Sequence, residues 1–106
     1  QTAVDNLDEI LKVDGVDGIF VGPYDLSIAM GIPGEFDNPE FISALDRITK
    51  ACKDAGKFTM IYTGNRQSAI KYFKNGFDSI AYSMDAAFLV NECRNEIKNI
   101  KEGISL

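Results

Sequence analysis

The stretch Asp17-Gly18-Ile19-Phe20-Val21-Gly22-Pro23-Tyr24-Asp25-Leu26-Ser27 limits what this chain can become more than any other part of it. From Gly18 to Val21 the residues form a short unbroken apolar run, which suits a strand buried on both faces, as in a parallel sheet. Gly22-Pro23 then stops the run, since proline cannot donate to a central ladder. One carboxylate, Asp25, follows immediately. A buried strand ending in a tight turn and an acid is how α/β barrels present chemistry at the carboxyl ends of their strands. Asp25 is therefore a candidate metal ligand, and the backbone through Gly22, Pro23, Tyr24 and Asp25 a candidate anion cradle. On the pattern alone a second reading stands beside it, in which Asp25 caps a short helix starting at Leu26.

The flanking chain reads as repeated βα units. Thr2 to Lys12 carries Ala3, Val4, Leu7, Ile10 and Leu11 at helical spacing, with Gly15 as the stop. A long loop is expected from Leu26 to Asn38, and long connections in compact domains are usually functional. Asn38 is a helix cap with Pro39 in the first turn. Phe41, Leu45, Ile48, Cys52 and Ala55 form that helix's buried stripe, and Gly56 ends it. Lys57 to Thr63 reads as a second strand. A short helix from Arg66 to Asn75 follows, with Ala69, Ile70 and Phe73 inward and Gly76 as the stop. Phe77 to Ser83 reads as a third strand, weakened by Asp78 and two serines. Asp85 can cap a last helix whose stripe is Phe88, Leu89, Cys93, Ile97 and Ile100.

The predicted order is α-β-α-β-α-β-α, with three parallel strands and about four helices. Right-handed crossovers would put Asp25, Thr63 and Ser83 on one rim. A closed barrel needs eight strands and typically about 250 residues, whereas this chain has 106. The outer strands would expose unpaired edges. The expected architecture is thus α/β, residues 1–106 forming the C-terminal half-barrel fragment of a (β/α)8 TIM barrel, a piece of something longer.

Charge and composition narrow the functions. A net charge of −5 leaves nothing to neutralise a phosphate backbone, so no nucleic acid partner is expected. No apolar run approaches the roughly 20 residues of a membrane span, and a cytoplasmic location without membrane contact is expected. Cys52 and Cys93 fall at apolar helical positions and read as two buried, reduced thiols. The chain has no histidine, so an imidazole base cannot come from these residues. Arg66 in a helix's first turn opposes the dipole; it reads as solvated, with substrate contact as the alternative.

Asn6-Leu7-Asp8-Glu9-Ile10-Leu11, Gly15 through Ser27, Met30-Gly31-Ile32-Pro33-Gly34, Asn38-Pro39-Glu40, Gly56-Lys57, Gly76-Phe77-Asp78 and Asp85-Ala86-Ala87-Phe88-Leu89 together resemble the HpcH/HpaI aldolase family, metal-dependent pyruvate aldolases related to the citrate lyase β subunit. The resemblance implies a lyase on a (β/α)8 barrel that cleaves 4-hydroxy-2-oxo acids to pyruvate and an aldehyde. It implies a divalent cation, Mg2+ or Mn2+ with Co2+ as a further option, on Asp25. It assigns the N–H groups of Tyr24 and Asp25 to the pyruvate carboxylate and Tyr62 to the aldehyde side. The family's second metal carboxylate, its catalytic His and its carboxylate-binding Arg have no counterpart here, so the isolated chain is expected to be inactive.

Cleavage beside the hydroxyl leaves the pyruvate portion as an enolate, and a hard cation on its keto oxygen would hold that charge. Pyruvate or another 2-oxo acid is the expected small-molecule partner. A homo-oligomer, joined through strand edges and the last helix, is the expected assembly. Two other readings remain: a non-catalytic α/β piece that assembles through its open strand edges, and acyl-CoA lyase chemistry like that of the citrate lyase β relatives.

Overall fold

The structure, a computed structural model, describes residues 2–105. Three strands, β1 (Gly18–Val21), β2 (Phe58–Thr63) and β3 (Ser79–Tyr82), form one parallel sheet in the order β1-β2-β3. In register, Val21 stands beside Ile61 and Ile61 beside Ile80. Among the described residues β1 and β3 each pair on one side only, which leaves the expected open edges. Gly18 permits the tight β1–β2 spacing: any Cβ there would collide with the Phe58 carbonyl.

Helix α4 (Pro39–Asp54) covers one sheet face. Asn38 caps it as expected, its side-chain oxygen accepting from the Glu40 N–H at 2.9 Å. Phe41, Leu45, Ile48 and Cys52 bury fully against Val21, Ile61 and Phe77 in the core. Ala55, expected in this stripe, is instead the exposed C-cap, because the helix stops one residue earlier.

The departures from the expected elements begin with the helices. The first helix is two, α1 (Thr2–Asp5) and α2 (Leu7–Leu11), since Asn6 leaves helical geometry at φ −97°, ψ 16° and a poor helix former sits at the break. The expected loop from Leu26 begins four residues later. Pro23 fixes the first turn of α3 (Pro23–Ala29), which buries Leu26 and Ser27. With these two the described residues hold six helices, not four.

Helix α5 (Arg66–Lys74) buries Tyr72, while Ile70 and Phe73 are 50% and 64% exposed. The Tyr72 ring packs edge-on against Phe77 at 6.0 Å, a contact the Ile70–Phe73 side of the helix does not offer. Helix α6 (Asp85–Gly103) buries no residue at all. Phe88, Leu89, Ile97 and Ile100 are exposed, and so is Cys93, which corrects the expectation of two buried thiols. Its N-cap is Met84, and Asp85 is the first helical residue, accepting from the Ala86 N–H rather than capping the turn.

The expectation that β1 is buried on both faces also fails. Val21 faces α4 and is buried, but Phe20 is 63% exposed on the other face, beside Met60 of β2. At the strands' amino ends, Asp78 and Thr59 clasp each other. Asp78 Oδ2 accepts from the Thr59 N–H at 2.8 Å and from its hydroxyl at 2.9 Å, while Thr59 Oγ1 accepts from the Asp78 N–H at 3.1 Å. Asp78 precedes β3 and fastens it to β2.

Candidate active site

Parallel pairing brings the carboxyl ends of all three strands to one rim. Asp25 follows β1, Thr63 ends β2, and Ser83 follows β3, donating its N–H to the Thr63 carbonyl at 2.9 Å. Ser83 holds φ +58°, an unusual left-handed conformation for a serine.

At the end of β1, Gly22 is the N-cap of α3 with extended backbone, and Pro23 is buried in its first turn. The Leu26 N–H bonds the Gly22 carbonyl at 3.0 Å. The N–H groups of Tyr24 and Asp25, ahead of it in the first turn, have no intrahelical partner to find. Asp25 is exposed and lies in this turn rather than at the cap position, so the capping alternative does not describe it. Its carboxylate folds back over the strand end: a methyl group placed on Gly22 would lie 3.2 Å from Asp25 Oδ2. Glycine at 22 therefore leaves that oxygen its room.

Ser27 organises the segment that follows. Completely buried, it donates its hydroxyl to the Tyr24 carbonyl at 2.7 Å and accepts from the Gly34 N–H at 2.9 Å. The loop after α3 is thereby tied beneath Tyr24. Across the rim, Thr63 Oγ1 accepts from the Asn65 N–H at 3.1 Å, and Asn65 caps α5 by accepting from the Ser68 N–H at 3.0 Å.

Between these two turns lies a cleft of about 400 Å³. Pro23, Tyr24 and Tyr62 line it together, as do Thr63, Asn65 and Ser68 from the α5 side. Asp25 and Gly22 lie on the same rim but not in its lining. Arg66 is likewise outside the lining, exposed at the start of α5. Phe36 and Tyr72 complete the wall, and neither was singled out from sequence. The signal available for Phe36 is an aromatic ring in a loop that holds Gly31, Gly34 and Asp37, and Tyr72 was hidden behind the competing Ile70–Phe73 stripe. Burial raises the Tyr72 hydroxyl above the usual tyrosine range, with Asp37 adding to the effect.

A divalent cation would find a carboxylate at this strand end, Asp25. Among the described residues no three His, Cys, Asp or Glu side chains converge as a metal cage. Hard cations such as Mg2+ accept one or two carboxylates and keep waters, so Asp25 fits a one-ligand share of such a site.

Known proteins with the same pattern extend well beyond these residues. The chain is 39% identical to 4-hydroxy-2-oxo-heptane-1,7-dioate aldolase of Shigella sonnei (strain Ss046), over 82% of this chain and 33% of that protein. It is 35% identical to hydroxypyruvate/pyruvate aldolase of Roseobacter denitrificans (strain ATCC 33942 / OCh 114), over 97% of this chain and 40% of that one. The crystal structure of an HpcH/HpaI aldolase/citrate lyase family protein from Burkholderia cenocepacia J2315 superposes with a TM-score of 0.87 at 32% identity, covering 92% of this chain and 38% of the other. The chain thus spans between a third and two fifths of the length of the curated relatives it matches. Its parallel βα units correspond to part of the family's TIM barrel, as the sequence implied. The HpcH/HpaI aldolase/citrate lyase profile matches residues 1–92, and with the rim of β1 built as described, the chain belongs to that family.

Proposed function

We propose that this chain supplies part of the active site of a divalent-metal-dependent aldolase, one that cleaves 4-hydroxy-2-oxo acids to pyruvate and an aldehyde. The observation that carries this reading is the end of β1, where an exposed carboxylate folds over a glycine beside a cleft large enough for a small substrate. The names of the aldolase relatives support the same reaction class.

In this reading Asp25 is the chain's one ligand to Mg2+, Mn2+ or Co2+. When bound, such a cation supplies Lewis-acid stabilisation of the charge that develops on the keto oxygen. The chain's own residues bind and orient. The Tyr24 and Asp25 N–H groups donate to the carboxylate of the 2-oxo acid, and Gly22 and Pro23 hold that turn open and rigid. Tyr62, across the cleft, flanks the aldehyde portion. As the C3–C4 bond breaks, its electron pair stays with the pyruvate portion and the C4 hydroxyl gives up its proton to become the aldehyde carbonyl. A proton delivered to C3 completes pyruvate. The acceptor of the hydroxyl proton is no imidazole of these residues, since the chain has none. Assembly of copies through the β1 and β3 edges and the exposed α6 stripe belongs to the same proposal.

The test is a graft. Residues 1–92 replace the matching segment of the Shigella sonnei aldolase, and pyruvate release is followed with Mn2+ added and removed. A folded graft is expected to be metal-dependent and to lose activity by roughly 100-fold or more in Asp25→Asn, the scale of losing one charge-stabilising group at a reaction centre. The isolated chain is expected to release no pyruvate. A folded graft whose turnover ignores Asp25→Asn would overturn the proposal and favour a non-catalytic role.

A further inference from the structure

Beyond the reaction class, the cleft carries information about which aldehyde it accommodates. We infer that it is built for an uncharged aldehyde portion with an apolar or aromatic body, and discriminates against one that carries a second carboxylate. This rests on the aldolase reading for the word aldehyde, but the recognition argument is independent of turnover.

The lining is largely rings: Tyr24, Phe36, Tyr62 and Tyr72, together with Pro23. Concave sites of this kind take apolar bodies and orient them with a few polar groups, here the side chains of Thr63, Asn65 and Ser68. Those groups are neutral, and two are already engaged, Thr63 with the Asn65 N–H and Asn65 with the Ser68 N–H. Among the described residues no lysine or arginine lines the cleft. Two cations adjoin lining residues in sequence: Lys71, next to Tyr72, is paired with Asp37 at 3.0 Å, and Arg66, next to Asn65, lies outside the lining.

A carboxylate entering this space would lose water without meeting a charged partner, which is unfavourable, and the chain's net charge of −5 adds repulsion. Substrates that end in a second carboxylate, as the heptane-1,7-dioate in the name of the Shigella sonnei relative does, are therefore disfavoured by these residues.

The experiment uses the full chain, 15N-labelled and metal-free, and a matched pair of unreactive probes: benzyl alcohol and 4-(hydroxymethyl)benzoate. Benzyl alcohol is expected to shift the amide signals of Tyr62, Gly64, Asn65 and Ser68 and to saturate at least roughly five-fold below the benzoate, the factor expected from a desolvation difference near 1 kcal/mol. Tyr62→Ser should weaken benzyl alcohol and leave the benzoate unchanged, in a spectrum that also reports whether the variant folds. Equal or tighter saturation by the benzoate at the Tyr62, Gly64, Asn65 and Ser68 signals, a benzoate-specific shift at Arg66, or no shift with either probe would overturn the inference. Because neither metal nor catalysis enters the readout, these outcomes separate from failure of the grafted aldolase.

Discussion

Helices α4 and α6 carry nearly the same sequence signal and meet opposite fates. Both repeat apolar residues at helical spacing, and both place a cysteine in that stripe. On α4 the stripe is the core: Phe41 and Cys52 are completely buried and Ile48 nearly so. On α6 the same pattern stands in solvent, with Leu89 67% and Ile100 59% exposed, and only Phe88 touching another ring, Tyr82 at 5.7 Å. Periodicity reports that a helix has an apolar face. What covers that face is decided by the rest of the fold, here by a sheet that lies under α4 and not under α6.

The sharpest way to break this contrast is truncation on each helix. Phe41→Ala is expected to destabilise the chain by about 3–5 kcal/mol, the range for emptying a buried aromatic site. In dilute, unassembled chain Ile97→Ala is expected to stay within about 0.5 kcal/mol, as surface substitutions do. Urea unfolding of both variants checks it, and equal losses would mean that α6 is covered in solution.

The two cysteines give a smaller, sharper comparison. Cys93 should react with a thiol reagent in the folded chain, and Cys52 only on unfolding. Burial, reinforced by Asp78, raises the Cys52 thiol above the usual value of 9.0. A raised folded-state pKa means stability that is present below the unfolded value and declines as pH rises through the folded one. Alkaline unfolding should therefore set in above about pH 9 and be blunted in Cys52→Ala but not in Cys93→Ala. A modest effect is expected at the entrance to α4, where Asn38→Ala removes the cap and should cost about 1 kcal/mol in thermal or urea melts.

Where the signal was local, the chain was legible before its coordinates. The Gly22-Pro23 break, the Asn38 cap and the three strand cores were readable because each rests on a residue's own backbone chemistry. The common rim of Asp25, Thr63 and Ser83 followed from parallel connection alone. The cleft was only half legible. Pro23, Tyr24 and Tyr62 were named, but Phe36 and Tyr72 come from a loop and a helix whose meeting depends on tertiary packing. The α3 helix was legible only as an alternative, a short helix from Leu26, because Tyr24, Asp25, Ser27 and Ile28 are middling helix formers and the stretch to Asn38 read as loop. The exposed face of β1 was missed because an apolar run cannot say how many layers surround it.

Asp78 had looked like a flaw in the third strand. In the structure it is a fastener, bound three ways to Thr59 at the end of the sheet away from the cleft. A shift of β3 by one residue would turn its alternate side chains to the wrong layer, and with it would move Ser83 off its bond to Thr63. The opening where a substrate would sit is thus levelled from below, by a carboxylate that never comes near it.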